Sequence, residues 1–273
     1  MAAAAIIDAL FCIPKNTKIT QVSECLPFGE DLSPQMDSSG IAGAVIAPCK
    51  CGQCPNQWNC ADRKTYEVRD AVKKCPKRLR GLASYDPLRV GDSLRWIDEA
   101  LSAGELIGAY AEAECCVSGL HAARMYPLYG MCDKLRAPVV LDFNSRESWQ
   151  HHRPQVEVLA ADFPDLQVLL STPPRIDATS MIRLMQRFQH VQFLLNPEEF
   201  QAQPLLCEFV EAQGRERVAF RANPQSWPAA TQASSGRLEE AALHSYLYDN
   251  AAKWFGFAAV AAGTTAPGAA EGQ

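Results

Sequence analysis

Eight short apolar runs recur along this chain of 273 residues, and their number and spacing limit the fold more than anything else in the sequence. They are AAAII (3–7), AGAVIA (42–47), LRGLAS (79–84), LIGAYAEA (106–113), PVVLDF (138–143), LQVLLS (166–171), VQFLLN (191–196) and RVAFRA (217–222). Segments of helical periodicity separate most of them, among them SLRWIDEALSAG, ATSMIRLMQRFQH and PLLCEFVEAQG. Strands alternating with helices every ~25–40 residues pair in parallel through right-handed crossovers. Eight such units close an α/β barrel of the (β/α)8, TIM-like type. The first helix is the weakest of the set, because residues 15–40 hold polar and Pro/Gly-containing stretches with modest periodicity. A doubly wound open sheet is the alternative, but no Gly-rich phosphate loop follows the first strand.

With 48% hydrophobic residues the chain can bury one large core. The expected organisation is a single barrel over 1–257 followed by a frayed, Ala/Gly-rich tail over 258–273. A net charge of −5 gives no footprint for nucleic acid or an anionic membrane. Apolar stretches are interrupted well before the ~18 residues a membrane span needs, and the first residues lack the basic start of a signal peptide. The expected location is therefore cytoplasmic.

Five segments, in order and at matching spacing, resemble the amidohydrolase-related proteins of the aminocarboxymuconate-semialdehyde decarboxylase type. IIDALFCIP (6–14) is similar to that family's opening Ile-Asp-x-His-x-His, and DLSPQMDSSGIAGAVIAP (31–48) to its first helix and second strand. RLRGLASYDPLRVGDSLRWIDEALSAGELIGAY (78–110), YPLYGMCDKLRAPVVLDF (126–143) and NAAKWFGF (250–257) resemble its third strand onward, its fifth strand and its closing helix.

The resemblance implies a divalent metal at the C-terminal ends of the barrel strands. The family's two strand 1 histidines, its strand 5 and strand 6 histidines and its strand 8 aspartate fall here on Leu10, Cys12, Asp142, Thr172 and Asn223. None keeps the family residue. Leucine has no lone pair, threonine is a poor base, and asparagine is not an anionic ligand. Cys12 and Asp142 alone retain donors, whereas a hydrolytic zinc site needs three protein ligands and an activated water.

A different metal site is suggested by APCKCGQCPNQWNCADR (47–63), where Cys49, Cys51, Cys54 and Cys60 follow a C-x-C-x2-C-x5-C pattern. Four thiolates this close suit a structural zinc. An iron–sulfur cluster would use the same ligands, and free or partly paired thiols are the plain alternative. Cys75 or Cys25 could replace one member. Since this loop follows strand 2, it belongs to the face that carries Cys12, Asp142 and Asn223.

Glu112 and Glu114 alternate along strand 4, so both are expected to point into the barrel, as acid/base candidates or as members of a salt-bridged structure. His121, near Cys115 and Cys116, reads either as a mouth residue or as an exposed loop histidine. His151 and His152 read as an anion or metal site, or as a hydrogen-bonded helix start. Trp58 and Trp227 read as pocket or partner contacts, or as packing. Cys207 sits on an apolar helical stripe and reads as core.

The expectation from sequence is a degenerate barrel without its catalytic metal: a binding or scaffolding subunit with a cysteine-bound zinc, associating with itself or with an active relative of the same fold. Its rival is a hydrolase or decarboxylase of a small carboxylated substrate, with a rebuilt site.

Overall fold

The computed structural model describes residues 5–12, 32–48, 60–116, 119–173, 175–222, 227 and 238–257, leaving aside the side chains of 11, 12, 32, 33, 35, 60–64 and 115. Eight strands form one parallel sheet in sequence order: β1 (Ile6–Cys12), β2 (Ile41–Ala47), β3 (Leu79–Ser84), β4 (Gly108–Glu112), β5 (Val139–Asp142), β6 (Val168–Ser171), β7 (Val191–Leu195) and β8 (Val218–Phe220). β1 returns to lie beside β8, which makes the sheet a (β/α)8 TIM-type barrel. Helices α1 (Leu32–Ser38), α2 (Cys60–Lys74), α3 (Val90–Ser102), α4 (Tyr126–Leu135), α5 (Arg146–Asp162) and α6 (Ala178–Arg187) fill the first six crossovers. The seventh holds α7 (Glu198–Ala202) and α8 (Pro204–Phe209), and α9 (Glu240–His244) and α10 (Asn250–Phe255) follow β8.

Alternation along the strands divides the apolar residues between two layers. Leu82, Tyr110, Val140, Leu169, Leu194 and Ala219 cluster with Val45 and Ala9 inside the barrel. Their neighbours Ala83, Ala109, Leu141, Leu170, Phe193 and Phe220 pack outward against Ile97, Leu128, Leu159 and Met181 of the helices. Each strand is covered on both sides, which is why it reads as a continuous apolar run.

The closing NAAKWFGF segment seals the barrel's N-terminal end. Buried Asn250 donates through Nδ2 to the carbonyls of Arg215 and Val218, both at 2.7 Å, and so pins α10 to the start of β8. At Gly256 the backbone turns left-handed (φ 65°), and Phe257 runs beneath β2, where a Cβ on Gly43 would lie 2.8 Å from its ring.

The apolar run over 3–7 meets only the start of the first strand, whereas IIDALFCIP (6–14), which resembles the family's opening strand, contains the whole of β1 (Ile6–Cys12). The strand carries a bulge: Asp8 pairs with Ala44 and Phe11 with Ile46, so two residues of β1 face one of β2. Among the described residues, no helix is long and apolar enough to cross a membrane. The tail over 258–273 lies outside the described residues.

Candidate functional site

The β1 bulge produces the first element of the site. Within it the Leu10 amide folds back to donate to Asp8 Oδ1 at 3.2 Å, the local turn that an aspartate side chain supports. The Ala222 amide donates to the same oxygen at 3.2 Å, and the Trp227 indole N–H donates to Asp8 Oδ2 at 2.7 Å. Asp8 and Trp227 are both fully buried. Three N–H donors and the nearby Arg221 guanidinium favour the carboxylate, while loss of water favours the acid. Burial is the larger effect, and it pushes the Asp8 carboxyl up to about 7.

The second element spans the barrel. The register sets Glu112, Asp142 and Ser171 side by side at the ends of β4, β5 and β6. Asp142 is buried and accepts a hydrogen bond from Tyr110 Oη at 2.9 Å and a short one from Ser171 Oγ. Arg221, one residue beyond β8, reaches across β7: Nη1 donates to the Thr172 carbonyl at 3.2 Å, and Nη2 lies 3.4 Å from Asp142 Oδ1. Its side chain is 20% exposed against 3% for Asp142, so the cation is the member of the pair that meets solvent. Thr172 itself is buried, and its hydroxyl has no hydrogen-bond partner among the described residues. All these groups sit at the C-terminal ends of strands, the face on which barrels of this kind assemble their chemistry.

The other expected residues are distributed differently. Leu10 is buried where the resemblance places a histidine. Glu112 is buried at the end of β4, but the strand stops there. Glu114 falls in a 3-10 turn (Ala113–Cys115) and is only half-buried, so the two glutamates do not share a strand face as expected. Its carboxylate accepts from the Asn144 amide at 2.8 Å and from Asn144 Nδ2 at 3.1 Å. His121 is exposed in the turns before α4. His151 and His152 lie inside α5, past its start at Arg146, and His152 is buried with Nδ1 2.9 Å from the Ser148 carbonyl one turn earlier. Cys207 is buried, as its apolar stripe implies.

Cys49, Cys51, Cys54, Asn223, Cys25 and Trp58 lie outside the described residues, as do the side chains of Cys12, Cys60 and Cys115. The segment leaves β2 after Ala47, at that strand's C-terminal end, and the described chain resumes at Cys60, where α2 begins. Cys75 and Cys60 cannot share one cluster: the 15 residues of α2 separate them, roughly 22 Å at the rise of an α-helix.

Sequence reasoning missed three residues. Asp8 had a signal, an acid in the middle of an apolar strand, and Arg221 had another, a cation just past a strand's C-terminal end. The third, Glu199 of α7, is buried with its carboxyl pushed up by loss of water. It accepts from Gln203 Nε2 at 2.5 Å and from the amide of Arg175, whose backbone is left-handed (φ 63°).

A family model described as amidohydrolase matches residues 26–257. The chain is similar in structure to 5-carboxyvanillate decarboxylase from Novosphingobium aromaticivorans complexed with manganese and 4-hydroxy-3-methoxy-5-nitrobenzoic acid. That match has 14% identity and a TM-score of 0.70 over 93% of this chain and 96% of that one. It is also similar to 2,6-dihydroxybenzoate decarboxylase from Rhizobium, at 15% identity and a TM-score of 0.66 over 93% and 99% of the two chains. A probable 2-pyrone-4,6-dicarboxylic acid hydrolase from Acinetobacter baumannii with citric acid bound matches at 13% identity and a TM-score of 0.67, over 92% and 99%. No curated protein matches the chain.

Proposed function

The chain belongs to the amidohydrolase family, and from that premise we propose that its barrel mouth decarboxylates or hydrolyses a small carboxylated aromatic substrate, with Asp8 handling the proton and Arg221 the substrate's charge. The observation that carries this reading is the Arg221–Asp142 pair at the C-terminal strand ends, with Asp8, buried at the third residue of β1, close enough to feel the Arg221 charge. In decarboxylation, the bond between ring carbon and carboxylate breaks, carbon dioxide leaves, and the electron pair stays on the ring carbon. That carbon takes the Asp8 proton, which solvent then replaces. A carboxyl that titrates near neutrality is suited to this exchange. In hydrolysis, ionised Asp8 would instead accept a proton from the attacking water.

The described residues do not fit a divalent metal. No group of three or more His, Cys, Asp or Glu side chains among them converges. Asp142 is held by two hydroxyl donors and faces a guanidinium, Asp8 is held by three N–H groups, and Leu10 offers nothing.

A second reading is favoured by Leu10, buried at the position of a ligand in the resembling family. On that reading the barrel is a binding or scaffolding subunit that pairs with a second copy or an active relative, and Cys49, Cys51, Cys54 and Cys60 hold a structural zinc. One experiment separates the two. Purified protein is incubated with 2,6-dihydroxybenzoate and 5-carboxyvanillate, and carbon dioxide and aromatic products are followed for the wild type, Asp8→Asn and Asp142→Ala. Turnover that both substitutions abolish supports the enzyme. No turnover, with one zinc per chain lost in Cys51→Ser/Cys54→Ser, supports the scaffold.

A further inference from the structure

Arg221 and Thr172 together have the makings of an anion site. A buried hydroxyl without a partner forfeits a hydrogen bond, and native structures rarely leave one without a reason. Thr172 Oγ1 is such a hydroxyl, and the same residue's carbonyl holds Arg221 Nη1 at 3.2 Å. The guanidinium is thus held by Thr172 on one strand end and by Asp142 on the next. It is also the partly exposed member of an otherwise buried group. A planar guanidinium matches a carboxylate, and a neighbouring hydroxyl adds a directed donor.

We infer that Arg221 and the Thr172 hydroxyl bind the carboxylate of an aromatic acid directly, with no divalent cation between protein and ligand. This rests on the mouth being the substrate site, and it specifies which atoms take the substrate's charged group. Asp142 then serves as a positioning residue, since it neutralises and orients Arg221. The same contact bars a divalent ion, because Asp142 oxygens committed to Ser171, Tyr110 and a guanidinium are poor metal donors.

Benzoate is the probe, titrated calorimetrically into the full chain in metal-depleted buffer and again with added Mn2+. The expected result is binding that Mn2+ does not change. Arg221→Ala should weaken it by at least about tenfold and Thr172→Val by about three- to tenfold, the range for one hydrogen bond. Thr172→Val is nearly isosteric and removes a hydroxyl with no partner among the described residues, so its melting temperature should hold or rise while affinity falls. Arg221→Lys provides a folded comparison if Arg221→Ala is unstable, and it too should bind benzoate more weakly. Absence of benzoate binding, binding that requires Mn2+, or affinity unmoved in Thr172→Val and the Arg221 variants overturns the inference. Arg221-dependent benzoate binding without turnover of any carboxylated aromatic would leave the anion site standing and remove the proposed reaction. Turnover that is indifferent to Arg221 would do the reverse.

Discussion

Two arginines bracket the three residues of β8, and their surroundings differ in kind. Arg217, at the N-terminal end, is buried among neutral acceptors: the carbonyls of Met185 at 3.0 Å, Phe188 at 2.7 Å and Val191, and Gln189 Oε1 at 2.9 Å. It caps the C-terminal turn of α6, where orphan carbonyls and the helix dipole both favour a cation. Burial pulls its guanidinium below the usual range. Arg221, at the other end, faces a carboxylate and stays partly exposed. A cage of carbonyls locks a cation for structure, whereas a cation paired with a carboxylate and left partly exposed can exchange partners with an incoming anion.

That contrast can be broken at either end. Arg217→Leu should give the largest stability loss, about 3–4 kcal/mol, since it strips several buried acceptors of a charged donor. It should leave benzoate affinity unchanged in the folded fraction, and denaturant unfolding beside calorimetry reads both. Arg221→Ala should cost less, about 2 kcal/mol, because the pair is partly solvated, and Asp142→Asn in the same chain should recover much of it. Additive losses in the double variant would mean that the two side chains do not sense each other.

Asp8 sharpens the comparison through pH. Its folded pKa of about 7 lies above the unfolded value of 3.8, so the folded state holds the proton longer. Its stabilising contribution is complete below about pH 4, declines as pH rises through about 7, and is level beyond, with a slope on the order of 1 kcal/mol per pH unit. Asp8→Asn should flatten that slope in unfolding measured from pH 4 to 8; an unchanged slope would assign it to another group. Glu114→Gln, at the half-exposed rim, should shift stability by less than about 1 kcal/mol. A larger loss in thermal melts would show the rim to be as rigid as the base.

The strands were legible because burial on both faces makes each a dense apolar run, and the resemblance added their order. For β1 the apolar run over 3–7 stops short, because a buried acid at Asp8 interrupts the pattern, while the resemblance of IIDALFCIP (6–14) spans the whole strand. The glutamates were misplaced by a similar error: alternation predicts a shared face only while the strand lasts, and β4 ends at Glu112. The site itself was less accessible. Asp8 is stabilised by an indole 219 positions away, and Arg221 meets Asp142 only once the sheet curls round on itself. Local pattern carries no trace of such pairings. That Leu10 offers no donor was readable from residue type alone.

The Asp8–Trp227 bond also imposes an order in time. A chain emerging from the ribosome exposes Asp8 first and its indole partner 219 residues later, an interval of roughly 10–45 s at ~5–20 residues per second. Through that interval the acid remains hydrated and charged, so nascent β1 has no reason to bury it. Burial of Asp8 and the placing of the Trp227 indole therefore become one late event, which cannot precede synthesis of Trp227.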